Sequence, residues 1–178
     1  MWCDSLLLAC EKMLTFVWLA VRLVAVRPML LFLRIMEDRF QWLCRNVELP
    51  QLDFSRLERW LEAVARSYGR MVGTLSYMFC DDEEILRVNR EFLSHDYYTD
   101  IITFDDCRGR LLRGDMVISL DTVRSNAELQ GTTYNAELLR VIVHGVLHLC
   151  GINDKGPGAR EIMEAAENKA LKLLDSTL

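Results

Sequence analysis

The chain has 178 residues, 21 Lys+Arg against 26 Asp+Glu, a net charge of −5 and 51% hydrophobic residues. That size fits one domain, or one domain with an appendage, and the apolar fraction excludes an intrinsically disordered chain. Three Pro and nine Gly exclude collagen-like or Pro-rich low complexity, and the acidic balance excludes coating of nucleic acid by bulk charge while permitting a local basic cleft.

Six Cys at positions 3, 10, 44, 80, 107 and 150 form no CxxC pair and read as reduced cytosolic thiols. Charge is unevenly placed: residues 1–45 hold six basic and four acidic residues, leaving 15 basic and 22 acidic for residues 46–178. From Met13 to Met36 the sequence is almost wholly apolar, broken by Thr15, Arg22, Arg27, Pro28 and Arg34. It is long enough to span a bilayer, but Arg22 and Arg27 near its centre would cost about 2.5–3.5 kcal/mol each. Asp4 and Glu11 precede the run, where a signal peptide carries basic residues. Residues 1–38 therefore read as an Arg-containing apolar leader apart from a domain over 39–178. Two readings stay open for it: a mis-called start, with Met29 or Met36 as the true one, or a membrane-associating segment.

Within the domain, Phe40 to Cys44 is a candidate strand before the Pro50 turn. Asp53 or Ser55 can N-cap a helix to about Tyr68, with Leu57, Trp60, Leu61, Val64 and Ala65 on one face and Gly69 and Gly73 bracketing its end. Thr74 to Cys80 is β-rich. Asp81 and Asp82 then open a second helix, whose acidic run 81–84 suits a capped, solvated N-terminus rather than a metal site. Ile101 to Phe104 and Met116 to Leu120 are further strands, and the polar stretch Asp105 to Gly114 reads as a loop or hairpin. Asp121 can cap a helix through Leu129, and Thr132 or Thr133 a long one through Leu149. Gly156-Pro157-Gly158 precedes a last amphipathic helix over about 159–174. Strands early and helices late predict an α+β fold, a small mixed sheet packed with helices.

His144 and His148 lie four apart on the long helix. That spacing places both imidazoles about 40° apart on adjacent turns, where two nitrogens can share one divalent ion. Bare histidines are costly on so apolar a helix unless paired. Asp154 follows after the Gly151 turn and can fold back as a third ligand. Gly145 stands where a zinc protease of the H-E-x-x-H kind carries its glutamate base, so that machinery is excluded.

These residues resemble the YbeY family of rRNA-maturation metalloproteins. Its pattern H-G-x-L-H-L-x-G-x-D-H compares with His144-Gly145-Val146-Leu147-His148-Leu149-Cys150-Gly151-Ile152-Asn153-Asp154. Asp81 to Arg90, followed by Thr99 to Phe104, resembles the family's D-D-x-x-I-x-x-L-N and T-D-V-L-S-F. Gly114 to Ser119 resembles G-D-I-x-I-S, and Asn46 to Pro50 fits its start. The likeness covers about residues 40–174. Two departures stand out. The family's third metal histidine falls on Asp154, and its cleft arginine and lysine fall on Leu93 and His95. A carboxylate oxygen is an acceptable zinc ligand, so a His2Asp site stays competent.

The resemblance implies one zinc ion per chain, held by His144, His148 and Asp154, and a cytoplasmic, single-strand-specific endoribonuclease. Its setting would be 16S rRNA 3′-end maturation and ribosome quality control, with ribosomal RNA, a small-subunit ribosomal protein and an assembly GTPase as partners. Zinc would polarise a phosphate oxygen or activate water for attack on phosphorus. Candidates beyond the ligands are His95 and Asp115 for catalysis and Arg90 and His95 for substrate binding. For His95 the alternative is an exposed loop histidine; for Asp100 and Asp115 it is turn and strand-end capping. Cys150, about 200° round the helix from His148, reads as core rather than as a fourth ligand. The rival readings are a non-catalytic assembly factor with a structural metal, and a hydrolase of a small substrate. Scattered Lys and Arg predict weak binding to free RNA with a shallow salt dependence.

Overall fold

The computed structural model describes residues 39–176; the expectations for the leader 1–38 lie outside them. Four strands and five helices follow in the order β1 (Phe40–Cys44), α1 (Phe54–Ser67), β2 (Met71–Cys80), α2 (Asp82–Leu93), β3 (Ile101–Asp105), β4 (Leu111–Ser119), α3 (Leu120–Gln130), α4 (Tyr134–Leu149) and α5 (Ala159–Ser176) among the described residues. The sheet order is β1-β2-β4-β3. β1 runs parallel to β2 and β2 to β4, while β3 pairs antiparallel with β4, so the sheet is mixed as expected. No helix among the described residues is long and apolar enough to cross a membrane.

Strand alternation divides the core between the two sheet faces. On one face Leu75, Tyr77 and Phe79 of β2 and Met116 and Ile118 of β4 join the apolar stripes of α1, α4 and α5. On the other, Cys80, Ile102 and Val117 meet Ile85 and Val88 of α2 in a smaller cluster. Trp60, fully buried, ties α1 to α5 by donating from Nε1 to the Ala170 carbonyl at 2.7 Å. Tyr77 reaches from β2 to the Ile142 carbonyl at 3.4 Å, and burial drives its phenol pKa up. Both polar tips find partners, as buried aromatics require.

Several boundaries move from those expected. β2 begins at Met71, so Gly73 lies inside a strand rather than at a helix end. A Cβ there would meet the Leu112 carbonyl at 2.9 Å, which is why glycine occupies this strand position. The stretch 105–114 is a hairpin, with β4 already begun at Leu111. Ser119, not Asp121, caps α3, its hydroxyl accepting from Thr122 N at 3.2 Å. Asp53 and Thr133 cap α1 and α4 as expected. Asp81 caps α2, but the acidic run behind it is less solvated than expected. Glu84 is 5% exposed and paired with Arg87 at 2.7 Å and Arg45 at 3.2 Å, and Asp82 accepts from Thr122 Oγ1 at 2.6 Å.

Candidate metal centre

The centre is built on the C-terminal half of α4. Val141, Ile142, Val143, Val146, Leu147 and Leu149 bury this helix against the sheet, leaving His144 and His148 half-buried on its remaining face. Gly145 between them lies against the sheet. A Cβ at this position would come within 2.8 Å of Met116 Cγ, 3.0 Å of Ile101 Cδ1 and 3.3 Å of Thr103 Oγ1. A glutamate there would have to enter the core, so the position cannot supply a base to the cleft. α4 stops at Leu149, and Gly151 at φ +97° turns the chain back on itself. That turn brings Asp154 opposite the two imidazoles.

Asp154 Oδ2 lies 3.8 Å from His144 Nε2 and 3.8 Å from His148 Nε2. The ligating atoms of the three residues all fall within 4.8 Å of one another. Two atoms bound to one ion at about 2.0–2.2 Å lie up to about 4 Å apart, so the two 3.8 Å spacings from Asp154 Oδ2 suit a shared cation. The other oxygen, Asp154 Oδ1, is buried with no hydrogen-bond partner.

Both imidazoles are oriented for ligation from behind. His144 Nδ1 donates to Glu167 Oε1 of α5 at 2.7 Å, and His148 Nδ1 donates to the Ile152 carbonyl at 2.9 Å. A carboxylate and a carbonyl can only accept, so each ring carries its proton on Nδ1 and turns an Nε2 lone pair toward Asp154. The two environments shift the rings oppositely. Burial pulls the His144 pKa down, but the Glu167 hydrogen bond and the nearby carboxylates outweigh it, and the net shift is upward. Burial and the neighbouring His144 lower that of His148. Glu167 also accepts from Arg140 Nη1 at 3.1 Å, and Arg140 Nε lies 3.6 Å from Glu137, whose carboxyl burial raises in pKa.

Two cavities, of about 680 and 510 Å³, meet at the centre and share Asp100, His144 and Asp154. The larger lies between α3, α4 and α5 and carries Arg140 and Arg160. The smaller lies between β3 and the α2–β3 loop, and carries His95 and Lys155.

The site residues expected from the sequence sort by position. His144, His148 and Asp154 come together, and His95 lines the smaller cavity. Asp100 caps the Ile101 amide at 2.9 Å, as a strand-end residue does, accepts from Asn126 Nδ2 at 3.3 Å and lines both cavities. Asp115 is not brought to the centre. It is exposed and shares strand parity with Val117, whereas Met116 faces α4. Arg90 lines neither cavity and pairs with Asp96 at 2.6 Å. Cys150 packs against the main core, and burial pushes its thiol up to about 11. Glu167 was missed. Its signal was a carboxylate within the buried Met163, Ala166, Ala170 stripe of an amphipathic helix, itself 8% exposed.

The sequence profile of the family Endoribonuclease YbeY matches residues 45–175. A protein named Endoribonuclease YbeY from Bacteroides thetaiotaomicron is 61% identical over 128 residues, which are 72% of this chain and 93% of that protein. One of the same name from Porphyromonas gingivalis is 50% identical over 140 residues, 79% of this chain and 93% of that protein. A solution structure of a Thermotoga maritima protein covers 77% of this chain and 92% of its own at 21% identity, with a TM-score of 0.51, and shares the fold. The chain belongs to the YbeY family.

Proposed function

We propose that this member of the YbeY family is a zinc-dependent endoribonuclease that cuts single-stranded RNA during maturation of the 16S rRNA 3′ end and ribosome quality control. The observation that carries the reading is the convergence of His144 Nε2, His148 Nε2 and Asp154 Oδ2 where two cavities meet. Three converging ligands among the described residues favour a catalytic over a structural metal, because structural zinc sites are closed by four protein ligands. Two imidazoles and a carboxylate suit zinc among the common divalent ions. A cation held there would supply Lewis acidity toward a phosphodiester.

The remaining work falls to the chain's own groups. Glu167 and the Ile152 carbonyl keep the Nδ1 protons in place, so both Nε2 atoms stay available as ligands. Lys155 on one side and Arg160 on the other counter phosphate charge along the cleft. His95 is exposed on the wall of the smaller cavity and would contact the RNA strand. With so few cleft cations, affinity for free RNA is low. Presentation by a small-subunit ribosomal protein and an assembly GTPase would then supply what charge does not. The free thiols of Cys44, Cys80, Cys107 and Cys150 suit a reducing, cytoplasmic setting.

The test is cleavage of a defined 16S precursor by wild type, His144→Ala and chelator-treated protein, with metal content measured alongside. Stoichiometric zinc and cleavage in the wild type only is the expected result. Cleavage indifferent to both changes would sink the metallonuclease reading.

A further inference from the structure

The loop between α2 and β3 carries an aromatic pair that the fold holds but does not bury. Its start is fixed by Ser94, the left-handed cap of α2 at φ +58°, and by His95 N donating to the Asn89 carbonyl at 3.2 Å. Its middle is fixed by Asn89 Nδ2, which donates to the Tyr97 carbonyl at 2.8 Å from a side chain 1% exposed. On this anchored backbone the His95 and Tyr97 rings stack at 5.1 Å and 23°, with Tyr97 Oη 3.1 Å from His95 Nδ1. Tyr97 is nevertheless 56% exposed. Both residues line the smaller cavity, together with His144, His148 and Lys155. Two polar atoms of that cavity's residues, Asn89 Oδ1 and Thr103 Oγ1, are buried without hydrogen-bond partners.

We infer that the His95–Tyr97 pair is a stacking platform for one unpaired nucleobase of the RNA strand, next to the phosphate at the metal centre. The inference rests on the endoribonuclease reading and names how the strand is gripped. A base has a π-face whatever its identity, so stacking on aromatic rings holds single strands without reading sequence. A base inside a duplex is already stacked on its neighbours, so the platform selects unpaired RNA. It also suits a cleft with little positive charge, since the ring contact does not depend on counterion release. Pre-ordering of the loop lowers the entropy lost on binding. Lys155 on the same cavity is placed to meet an adjacent phosphate, with Tyr97 taking the base.

The test compares metal-loaded wild type, Tyr97→Phe and Tyr97→Ala on a single-stranded oligoribonucleotide containing the cut site. The ring, not the hydroxyl, is the working part, so Tyr97→Phe should stay within about twofold of wild type. Tyr97→Ala should raise KM about tenfold, with kcat changed by less than about threefold. A second arm measures anisotropy of a 2′-O-methyl strand of the same sequence, with and without one abasic position beside the cut. The abasic strand should bind wild type about tenfold more weakly, yet cost Tyr97→Ala nothing further. Unchanged KM and affinity in Tyr97→Ala, or equal losses in Tyr97→Phe, would overturn the platform. If wild type cleaves no RNA, the endoribonuclease reading falls, and the anisotropy arm still decides the platform.

Discussion

His144 and His148 sit on successive turns of one helix, yet different chemistry holds them. His144 is held by a carboxylate from a helix 23 residues further along the chain, and His148 by the main-chain carbonyl of Ile152 in the turn that follows it. The first contact carries charge and exists only because α5 packs on α4. The second is neutral and local, made by the same turn that delivers Asp154. One imidazole's orientation therefore depends on tertiary packing, and the other's follows from the chain's own path. A cation shared by the two would draw on both kinds of support.

The largest effects should come from removing any of the three converging side chains, and here the two histidines should behave alike. His144→Ala and His148→Ala should each lose stoichiometric zinc, read by elemental analysis, and cleavage with it. A variant of either that kept full metal would break the symmetry of the pair. Asp154→Ala should likewise lose metal, because Oδ2 is equidistant from both Nε2 atoms, whereas Asp154→His should retain it by supplying a nitrogen donor. Full metal content in Asp154→Ala would refute its ligand role.

Glu167→Gln separates the two histidines. It keeps the volume and removes the charge behind His144 alone, so metal affinity should fall about 10–100-fold. A competition titration with a zinc chelator reads this directly. An unchanged affinity would mean that the hydrogen bond orients nothing that matters.

The metal-free protein gives the contrast in protons. His144 should titrate above the ordinary histidine range and His148 below it, followed by NMR. The raised group stabilises the fold at pH below its unfolded value, and this is lost as pH rises through its folded value. The lowered group stabilises above its unfolded value, and this is lost as pH falls toward its folded value. In wild type the two oppose each other. Glu167→Gln removes the support that raises His144, so the metal-free variant should lose more stability than wild type between about pH 7 and 5. Denaturant midpoints at the two pH values check this, and parallel behaviour of the two proteins would contradict it.

The smallest effect should come from Gly145, which lies between the histidines but faces the sheet. Gly145→Ala should cost about 1–3 kcal/mol by overpacking against Met116 and Ile101, measured by urea unfolding. A neutral outcome would show that those side-chain ends yield freely.

Much of this was legible in the chain because its physics is short-range. The four-residue spacing of His144 and His148 puts both on one helix face whatever surrounds the helix. Gly151 and Asp154 lie close enough that a single turn decides their placement, and Asp53 and Thr133 cap their helices through contacts three residues away. The stripe Leu57, Trp60, Leu61, Val64 and Ala65 is buried in full, since a 3.6-residue period admits only one apolar face. Expectations failed where the deciding partner is distant. Asp115 and Met116 are neighbours in sequence, but β4 turns them to opposite faces, and only the packing of α4 says which face is the site. Arg90 belongs to Asp96 because the α2–β3 loop folds back over the helix end.

The pairing of His144 and His148 on one helix face, the turn that returns Asp154 and the order of strands and helices are consequences of local backbone geometry and hydrophobic period, and a reading of the chain alone reaches them. Tertiary structure alone decided that Glu167 stands behind His144, that Asp100 reaches both cavities and that His95 and Tyr97 share one of them with the metal centre. Those contacts join elements far apart in sequence. Their positions follow from how the two sheet faces are packed, a global outcome that no short window of residues encodes.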